Sequence, residues 1–199
     1  MFLASNNKGK LAELSALLDY LPVALVTPAQ IGLPFEVEED GLTFLENARK
    51  KAVAGVHYSG LPTLAEDTGL EVPALDGRPG IRSARFAGEG ATSAQLCEAL
   101  LRELGPRAAQ SPAARFRCVA VLMLPDGRQY AGEGVLEGAI AAQPRGSLGF
   151  GYDPIFVLPD GRHLAELPLE EKNLLSHRAR ALAALEVRGA FDVLLGRTP

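Results

Sequence analysis

The chain has 199 residues, 47% of them hydrophobic and 22% charged, a balance typical of one globular domain and not of a disordered or fibrous protein. A formal charge of −4 argues against a general affinity for nucleic-acid backbones, and no apolar run approaches the 18 or more residues that cross a bilayer. The segment Met1 to Ser5 is too short for a secretory leader, so we expect a cytoplasmic protein that binds neither nucleic acid nor membrane.

The N-terminal third is predicted to alternate strands and helices. A short apolar strand spans Met1 to Ala4, and after a polar turn an amphipathic helix carries leucines on one face, at positions 11, 14, 17 and 18. Val23 to Val26 is predicted to form a second strand. A second helix is predicted for Thr43 to Tyr58, where Thr43 as N-cap and Glu46 three residues later make a capping box.

Pro62 to Ala65 is predicted to form a buried strand that ends at Glu66 and Asp67. The carboxyl edge of an open α/β sheet is where ligands bind, so this position favours a functional site. A helix is predicted for Thr92 to Leu104, and Gly105 closes it.

The C-terminal half contains a predicted antiparallel hairpin. Its strands are Ala114 to Leu124 and Arg128 to Ala142, and Pro125-Asp126-Gly127 forms the turn between them. Ser176 is predicted to cap a last helix that ends near Val187. The expected fold class is therefore α/β: one domain, residues 1–199, with a mixed sheet, flanking helices and a long hairpin. We expect two lobes with a cleft between them.

A phosphate-binding loop is one interpretation of the segment Ser5-Asn6-Asn7-Lys8-Gly9-Lys10. It lies where a strand turns into a helix, so backbone N–H groups and the positive end of the helix dipole face outward. Lys10 adds a cation, although the Walker A pattern is absent. The alternative is an asparagine-rich helix cap followed by two solvated lysines.

Two acidic clusters, Glu38-Glu39-Asp40 and Glu66-Asp67, are separated by one predicted helix and can therefore meet at neighbouring strand ends. Hard carboxylates suit Mg²⁺, which offsets phosphate charge while a carboxylate orients or deprotonates water. The alternative for the first cluster is a solvated turn. For Asp67 that alternative is weaker, because a carboxylate that follows a buried strand needs a partner.

Aromatic residues flanked by glycines occur at positions 149–154. Phe150 and Tyr152 can present a ring for base stacking, with Asp153 as an acceptor for base or ribose; a tight turn is the alternative. His177 and Arg178 fall in a first helical turn, where the dipole disfavours cations, and an acceptor such as a phosphate or a carbonyl oxygen would explain them.

Six collinear segments resemble the inosine triphosphate pyrophosphatase family, also called the Ham1-like family. They are SNNKGK (5–10), EEDGLTFLENA (38–48), AEDTGL (65–70), PGIRSARFAG (79–88), GFGYDPIF (149–156) and EEKNLLSHRARAL (170–182). The resemblance implies hydrolysis of noncanonical purine nucleoside triphosphates, namely ITP, dITP and XTP, to the monophosphate plus pyrophosphate. It also implies Mg²⁺ as cofactor and a homodimer with an elongated α/β fold.

The resemblance also assigns roles to residues. Asp67 is the expected general base, and Glu38 with Asp67 the expected metal site, with Glu39 an open alternative to Glu38. Expected substrate residues are Ser5, Asn6, Asn7, Lys8, Gly9, Lys10, Thr68, Phe150, Gly151, Tyr152, Asp153, Lys172, His177 and Arg178. Thr68 stands where other members often have Ser, and Glu66 where many have Asp; both changes keep the chemistry.

Selectivity for the base is expected to depend on Arg178. A donor aimed at the 6-oxo group of hypoxanthine or xanthine confronts the 6-amino group of adenine, although guanine carries the same 6-oxo group. Three alternatives are a Maf-like pyrophosphatase, a nucleotide-binding regulatory module without hydrolysis, and an RNA-binding domain. The last is disfavoured by the acidic charge and an aromatic content of 6%.

Overall fold

The computed structural model describes residues 1–32 and 34–197, which contain both helices and strands. In chain order they are β1 Phe2–Leu3, α1 Lys8–Leu17, α2 Pro28–Ile31, α3 Phe44–Ser59, β2 Thr63–Glu71, α4 Ser93–Leu104, β3 Ala113–Met123, β4 Gln129–Ile140, β5 Phe156–Val157, α5 Leu169–Leu175, α6 His177–Val187 and α7 Ala190–Leu194. No helix in these two ranges is both long enough and apolar enough to cross a membrane.

The five strands form one mixed sheet in the order β1-β2-β3-β4-β5. β1 pairs with β2 in parallel, whereas β4 pairs with β5 antiparallel. β3 and β4 are joined by the predicted turn, where the Leu124 N–H donates to the Arg128 carbonyl at 2.9 Å and Gly127 adopts a left-handed φ of 90°. A mixed sheet with flanking helices confirms the predicted α/β class.

The chain forms two compact units, each with its own apolar core. Unit 1 comprises the described residues of 1–67, 118–134 and 177–197, and its core gathers leucines of α1, β2, β3 and α6. Unit 2 comprises 68–117 and 135–176, and its core includes residues of α4, β4 and β5. The cleft expected between two lobes stays a prediction.

The main helices begin and end close to where the sequence predicts them. The hydroxyl of Thr43 accepts from the Glu46 N–H at 3.1 Å and so caps α3. The capping box is only half correct, since the Glu46 carboxylate accepts from the Leu42 N–H at 2.7 Å and not from Thr43. Thr92 caps α4 with a complete box, and α6 starts directly after Ser176.

The predicted strand Val23 to Val26 is wrong. Only Val26 forms a bridge, with Phe2 of β1, through hydrogen bonds of 2.8 and 2.9 Å to Leu3 and Met1. β1 is two residues long, so it offers too few backbone groups to pair with a longer strand. The short helices α2, α5 and α7 were not predicted.

β2 does not end before its acidic residues but continues to Glu71, so Glu66 and Asp67 lie in the middle of the strand. Gly69 lies two residues after Asp67 in this strand. In the structure it allows close packing, because a Cβ there would overlap the carbonyl oxygen of Gly80. The next residue, Leu70, donates its N–H to the Ser83 hydroxyl at 2.8 Å.

Candidate active site

Asp67 is a buried carboxylate, 4% exposed, that side chains of α3 hold in unit 1. Asn47 donates its amide to Oδ2 at 3.2 Å, and the Lys51 ammonium lies 3.3 Å from Oδ1. Asn47 and Lys51 are one helical turn apart and therefore share a face of α3. Neither was predicted as a site residue, since only the fold shows that this face meets β2.

Burial makes Asp67 a more basic carboxylate than a solvated one. Burial raises its pKa, and Glu39 raises it further, whereas Lys51, Lys10 and Asn47 act against them. The net shift of the Asp67 pKa is upward. A carboxylate with a raised pKa is a stronger proton acceptor, which suits the role of general base.

Glu39 approaches Asp67 through Lys51. The Lys51 ammonium lies 3.2 Å from Glu39 Oε1 and 3.3 Å from Asp67 Oδ1, so one cation bridges two carboxylates. Glu38, the predicted metal ligand, is exposed. The geometry therefore favours Glu39, the alternative left open by the sequence.

Glu66 has a different environment from its neighbour Asp67. Arg178 donates Nε to Oε2 at 2.7 Å and Nη2 to Oε1 at 2.9 Å, the Cys118 thiol donates to Oε2 at 3.0 Å, and the Lys10 ammonium lies 3.2 Å from Oε1. A carboxylate accepts about four hydrogen bonds, so these partners occupy Glu66.

The protonation states of this cluster follow from its charges. Burial alone would raise the pKa of Glu66, but Arg178 and Lys10 outweigh it and hold that pKa well below its usual range. Burial would also lower the pKa of Lys10, yet Glu66 raises it overall. Glu66 is thus a charged structural acceptor, which supports Asp67 as the better candidate for a base.

Arg178 is 1% exposed and bonds to two carboxylates, Glu66 and Glu13 of α1. The acceptor expected from the sequence was a phosphate or a carbonyl oxygen, and these carboxylates take that place. They explain how a cation is tolerated in the first turn of α6. Glu13 was missed, because a single glutamate beside helix leucines gives no signal of its partner.

Two glycines of β4 set the place of α6. A Cβ on Gly134 would overlap the carbonyl oxygen of His177, and one on Gly132 would overlap that of Ala181. The helix therefore packs directly on the strand backbone, and this packing fixes His177 and Arg178, which are both buried.

The asparagines of the loop at 5–10 are mainly structural. Asn7 caps α1 by accepting from the Lys10 N–H at 3.0 Å, and the Asn6 amide donates to the Phe35 carbonyl at 2.6 Å. Lys8 is exposed, whereas Lys10 pairs with Glu66. The helix-cap alternative thus holds for Asn7, but Lys10 is not simply solvated.

In unit 2, Asp153 and Lys172 form a buried ion pair beneath the glycine-rich loop 149–153. Asp153 Oδ2 accepts from the Lys172 ammonium at 2.5 Å and from the Phe150 N–H at 2.9 Å. Lys172 also lies 5.1 Å from the centre of the Phe150 ring, within range of a cation–π interaction. Asp153 thus orders this loop, whereas the sequence suggested an acceptor for base or ribose.

Tyr152 is part of the core of unit 2, and its hydroxyl donates to the Ser83 carbonyl at 2.9 Å. Gly151 is held at both backbone groups, by the Ser93 hydroxyl at 2.8 Å and the Cys97 thiol at 3.4 Å. The tight-turn alternative therefore describes this loop, with Phe150 as its half-buried ring.

Thr68, directly after Asp67, has a buried hydroxyl oxygen without a hydrogen-bond partner among the described residues. Buried polar atoms without a protein partner often bind a ligand or an ordered water. In the neighbouring arginine-containing segment 79–86, Ser83 makes the structural contacts, since its hydroxyl donates to the Gly80 carbonyl at 2.6 Å. Arg82 is exposed.

Comparison with known proteins identifies the family. Residues 1–187 match the model of the Ham1 family. The chain belongs to the Ham1 family. A dITP/XTP pyrophosphatase from Geobacter sulfurreducens is 49% identical over 187 residues, which cover 94% of each chain. One from Thermus thermophilus is 47% identical over 184 residues, covering 92% of this chain and 88% of that protein.

Solved structures of Ham1 proteins have the same fold. The Ham1 protein of Coxiella burnetii matches with a TM-score of 0.83 and 41% identity, covering 98% of both chains. That of Staphylococcus aureus matches with a TM-score of 0.81 and 37% identity, covering 98% of this chain and 97% of the other.

In this Ham1 family member, three of the predicted residues of unit 1, Lys10, Asp67 and Arg178, lie in two contact groups, and the roles of the others stay predictions. One joins Asp67 to Asn47, Lys51 and Glu39, and the other joins Lys10 and Arg178 through Glu66. The roles of the predicted residues of unit 2 stay predictions, namely Thr68, Phe150, Gly151, Tyr152, Asp153 and Lys172.

Proposed function

We propose that this protein hydrolyses ITP, dITP and XTP to the nucleoside monophosphate and pyrophosphate, and so removes deaminated purines from the nucleotide pool. Relatives that are 43–49% identical are named dITP/XTP pyrophosphatases, and family membership extends over nearly the whole chain. One observation carries the proposal in chemical terms. Asp67 is buried, basic and held at both oxygens, next to a second carboxylate.

Asp67 acts as the general base in this proposal. Its carboxylate takes a proton from water as the water oxygen bonds to the α-phosphorus. The bond from the α-phosphorus to the oxygen that bridges to the β-phosphorus breaks, and pyrophosphate leaves. The raised pKa of Asp67 strengthens it as acceptor, and its fixed orientation lowers the cost of arranging the water.

A divalent metal fits this group of side chains. Glu39 and Asp67 already share one cation, the Lys51 ammonium, and hard carboxylate oxygens are the ligands that Mg²⁺ prefers. Across residues 1–32 and 34–197, no three His, Cys, Asp or Glu side chains come together as a metal site. Glu39 and Asp67 would therefore hold Mg²⁺ together with waters and substrate oxygens. The ion offsets phosphate charge when bound.

Arg178 is the proposed determinant of base selectivity. Glu66 and Glu13 fix the guanidinium of Arg178, and this side chain is 1% exposed. A ligand atom that contacts it must therefore be desolvated. A hydrogen-bond donor left unpaired in a buried site lowers the binding free energy most, and this disfavours the 6-amino group of adenine. We expect Arg178→Ala to raise the use of ATP relative to ITP; an equal loss for all nucleotides would contradict this role.

The compartment and the oligomeric state are further parts of the proposal, and the homodimer follows from the family resemblance. We propose a cytoplasmic homodimer whose substrates are free nucleotides and not nucleic acids. The formal charge of −4 supports the last point, because affinity for a polyanionic backbone requires clustered cations.

Pyrophosphate release tests the proposed function. The enzyme is assayed with ITP, dITP, XTP, ATP, GTP and dTTP, each with and without Mg²⁺. We expect pyrophosphate from the first three when Mg²⁺ is present. Binding of ITP without any product would instead indicate the regulatory module, and preference for dTTP would indicate Maf-like specificity.

A further inference from the structure

Asn47 of α3 has no part in the reaction as proposed so far, yet it is completely buried beside Asp67. Both ends of its amide are engaged. Nδ2 donates to Asp67 Oδ2 at 3.2 Å, and Oδ1 accepts from the Gly41 N–H at 2.8 Å. An N–H group needs an acceptor and a carboxylate needs a donor, so these two partners determine the orientation of the amide.

Gly41 is suited to this contact. A Cβ at position 41 would lie 2.6 Å from Asn47 Oδ1 and 2.9 Å from Glu46 Cβ, closer than side chains tolerate. Glycine therefore lets the loop backbone reach the amide. Gly41 ends the acidic loop, residues 38–41, which carries Glu39, so Asn47 touches both this loop and Asp67.

We propose that Asn47 is a positioning residue that holds the Asp67 carboxylate and the acidic loop in one frame; this inference rests on the proposed function, in which Asp67 activates water. Asn47 binds one oxygen of Asp67 while Lys51 binds the other. Two side chains on the same helix thereby restrict rotation of the carboxylate. They also contact the loop at two points, Gly41 and Glu39.

The amide suits this task because it is neutral. A cation at position 47 would stabilise the charge of Asp67 and weaken it as a proton acceptor, whereas a carboxylate would repel it. An amide orients Asp67 without adding charge. Rigid supports of this kind matter, since a displacement of about 1 Å at a reacting group can cost on the order of 100-fold in rate.

Two substitutions at position 47 separate the two contacts. Asn47→Asp keeps the size and the acceptor for Gly41 but turns an oxygen toward Asp67. Asn47→Ala removes both contacts. We expect each variant to lower kcat for ITP by about tenfold or more, as expected when a hydrogen bond to a charged group is lost, with KM changed less than about threefold.

Glu46 provides a matched control. It is the residue before Asn47, is exposed, and anchors the same turn by accepting from the Leu42 N–H at 2.7 Å. Glu46→Ala therefore removes a hydrogen bond next to the acidic loop, at Leu42, and leaves the contacts of Asp67 in place. We expect its kcat to stay within about twofold of the wild type, because an exposed hydrogen bond to a backbone N–H contributes to stability but does not orient Asp67.

Amide hydrogen exchange of the metal-free protein supplies a second readout that does not depend on activity. We expect the Gly41 amide to exchange slowly in the wild type and in Asn47→Asp, and fast in Asn47→Ala. Glu46→Ala is expected to expose the Leu42 amide alone. If circular dichroism shows that Asn47→Ala is unfolded, Asn47→Asp, which has the same size, decides.

Several outcomes overturn the inference. One is an Asn47→Asp enzyme whose kcat stays within twofold of the wild type. Another is a change in the Asn47 variants that affects KM alone. The third is a fall in kcat in Glu46→Ala as large as that in the Asn47 variants. A wild-type enzyme that releases no pyrophosphate from ITP overturns the proposed function itself. That result is distinguishable, because no variant is needed to obtain it.

Discussion

Removing the positive charge of Arg178 should destabilise the protein severely. Arg178 is buried between Glu66 and Glu13, and Arg178→Met fills much the same volume while leaving both carboxylates without their guanidinium. Breaking a buried ion pair on one side costs about 3–5 kcal/mol. For a chain of this length each kcal/mol lowers the melting temperature by about 2–4 °C, so we expect a fall of roughly 6–20 °C.

Thermal unfolding followed by circular dichroism measures this effect. Arg102→Met is the control, since Arg102 pairs with Glu98 on the exposed face of α4 and such surface pairs contribute little; its melting temperature should change by no more than about 2 °C. Adding Glu13→Leu to Arg178→Met should recover part of the loss, because one unpaired buried carboxylate is then removed. The reasoning is refuted if Arg178→Met melts within 2 °C of the wild type.

Three further predictions follow from other contacts. Glu39→Gln should raise the Mg²⁺ concentration for half-maximal activity about tenfold or more, and Glu38→Gln should leave it nearly unchanged; the reverse order would restore Glu38 as ligand. Gly134→Ala should lower the free energy of unfolding by about 1–3 kcal/mol and kcat/KM for ITP by up to about 100-fold, because its Cβ displaces His177. Gly132→Ala is the comparison: it should lower the free energy of unfolding equally but leave kcat/KM normal. Burial, with the charge of Asp153, raises the pKa of Cys97 to about 12, so its thiolate is scarce at pH 9. Alkylation of Cys97 at this pH should therefore be far slower in the native protein than in urea, and equal rates would contradict this.

Short-range sequence signals predicted those helices and strands whose ends are set by contacts between neighbouring residues. α3 and α4 begin at threonines that cap them, and the turn at Gly127 joins two strands rich in apolar residues. α6 starts after Ser176. In each case the signal consists of neighbours in sequence, either a cap residue or a helical or strand period.

Interactions between distant segments account for what the sequence did not predict. The predicted strand ends at Glu66 and Asp67, but β2 continues to Glu71, and Gly69 in it packs against the backbone of Gly80. Val23 to Val26 has the composition of a strand, yet the short β1 offers it one bridge. The strand propensity of a segment is a weak guide where strand formation depends on the length of the partner strand.

The same distinction applies to the site. A charge after a buried strand needs partners, which pointed to Asp67, and those partners are Asn47 and Lys51; its role as base came from the family resemblance. Neither was named beforehand, since both look like ordinary helix residues. Choosing between Glu38 and Glu39 required the position of Lys51, which no spacing in the sequence encodes.

Hydrolysis of ITP in ¹⁸O-labelled water tests the central claim most directly. If Asp67 activates water for attack on the α-phosphorus, the label appears in the inosine monophosphate, the pyrophosphate stays unlabelled, and Asp67→Asn nearly abolishes both products. Label in pyrophosphate, release of orthophosphate, or near wild-type turnover by Asp67→Asn would contradict the account.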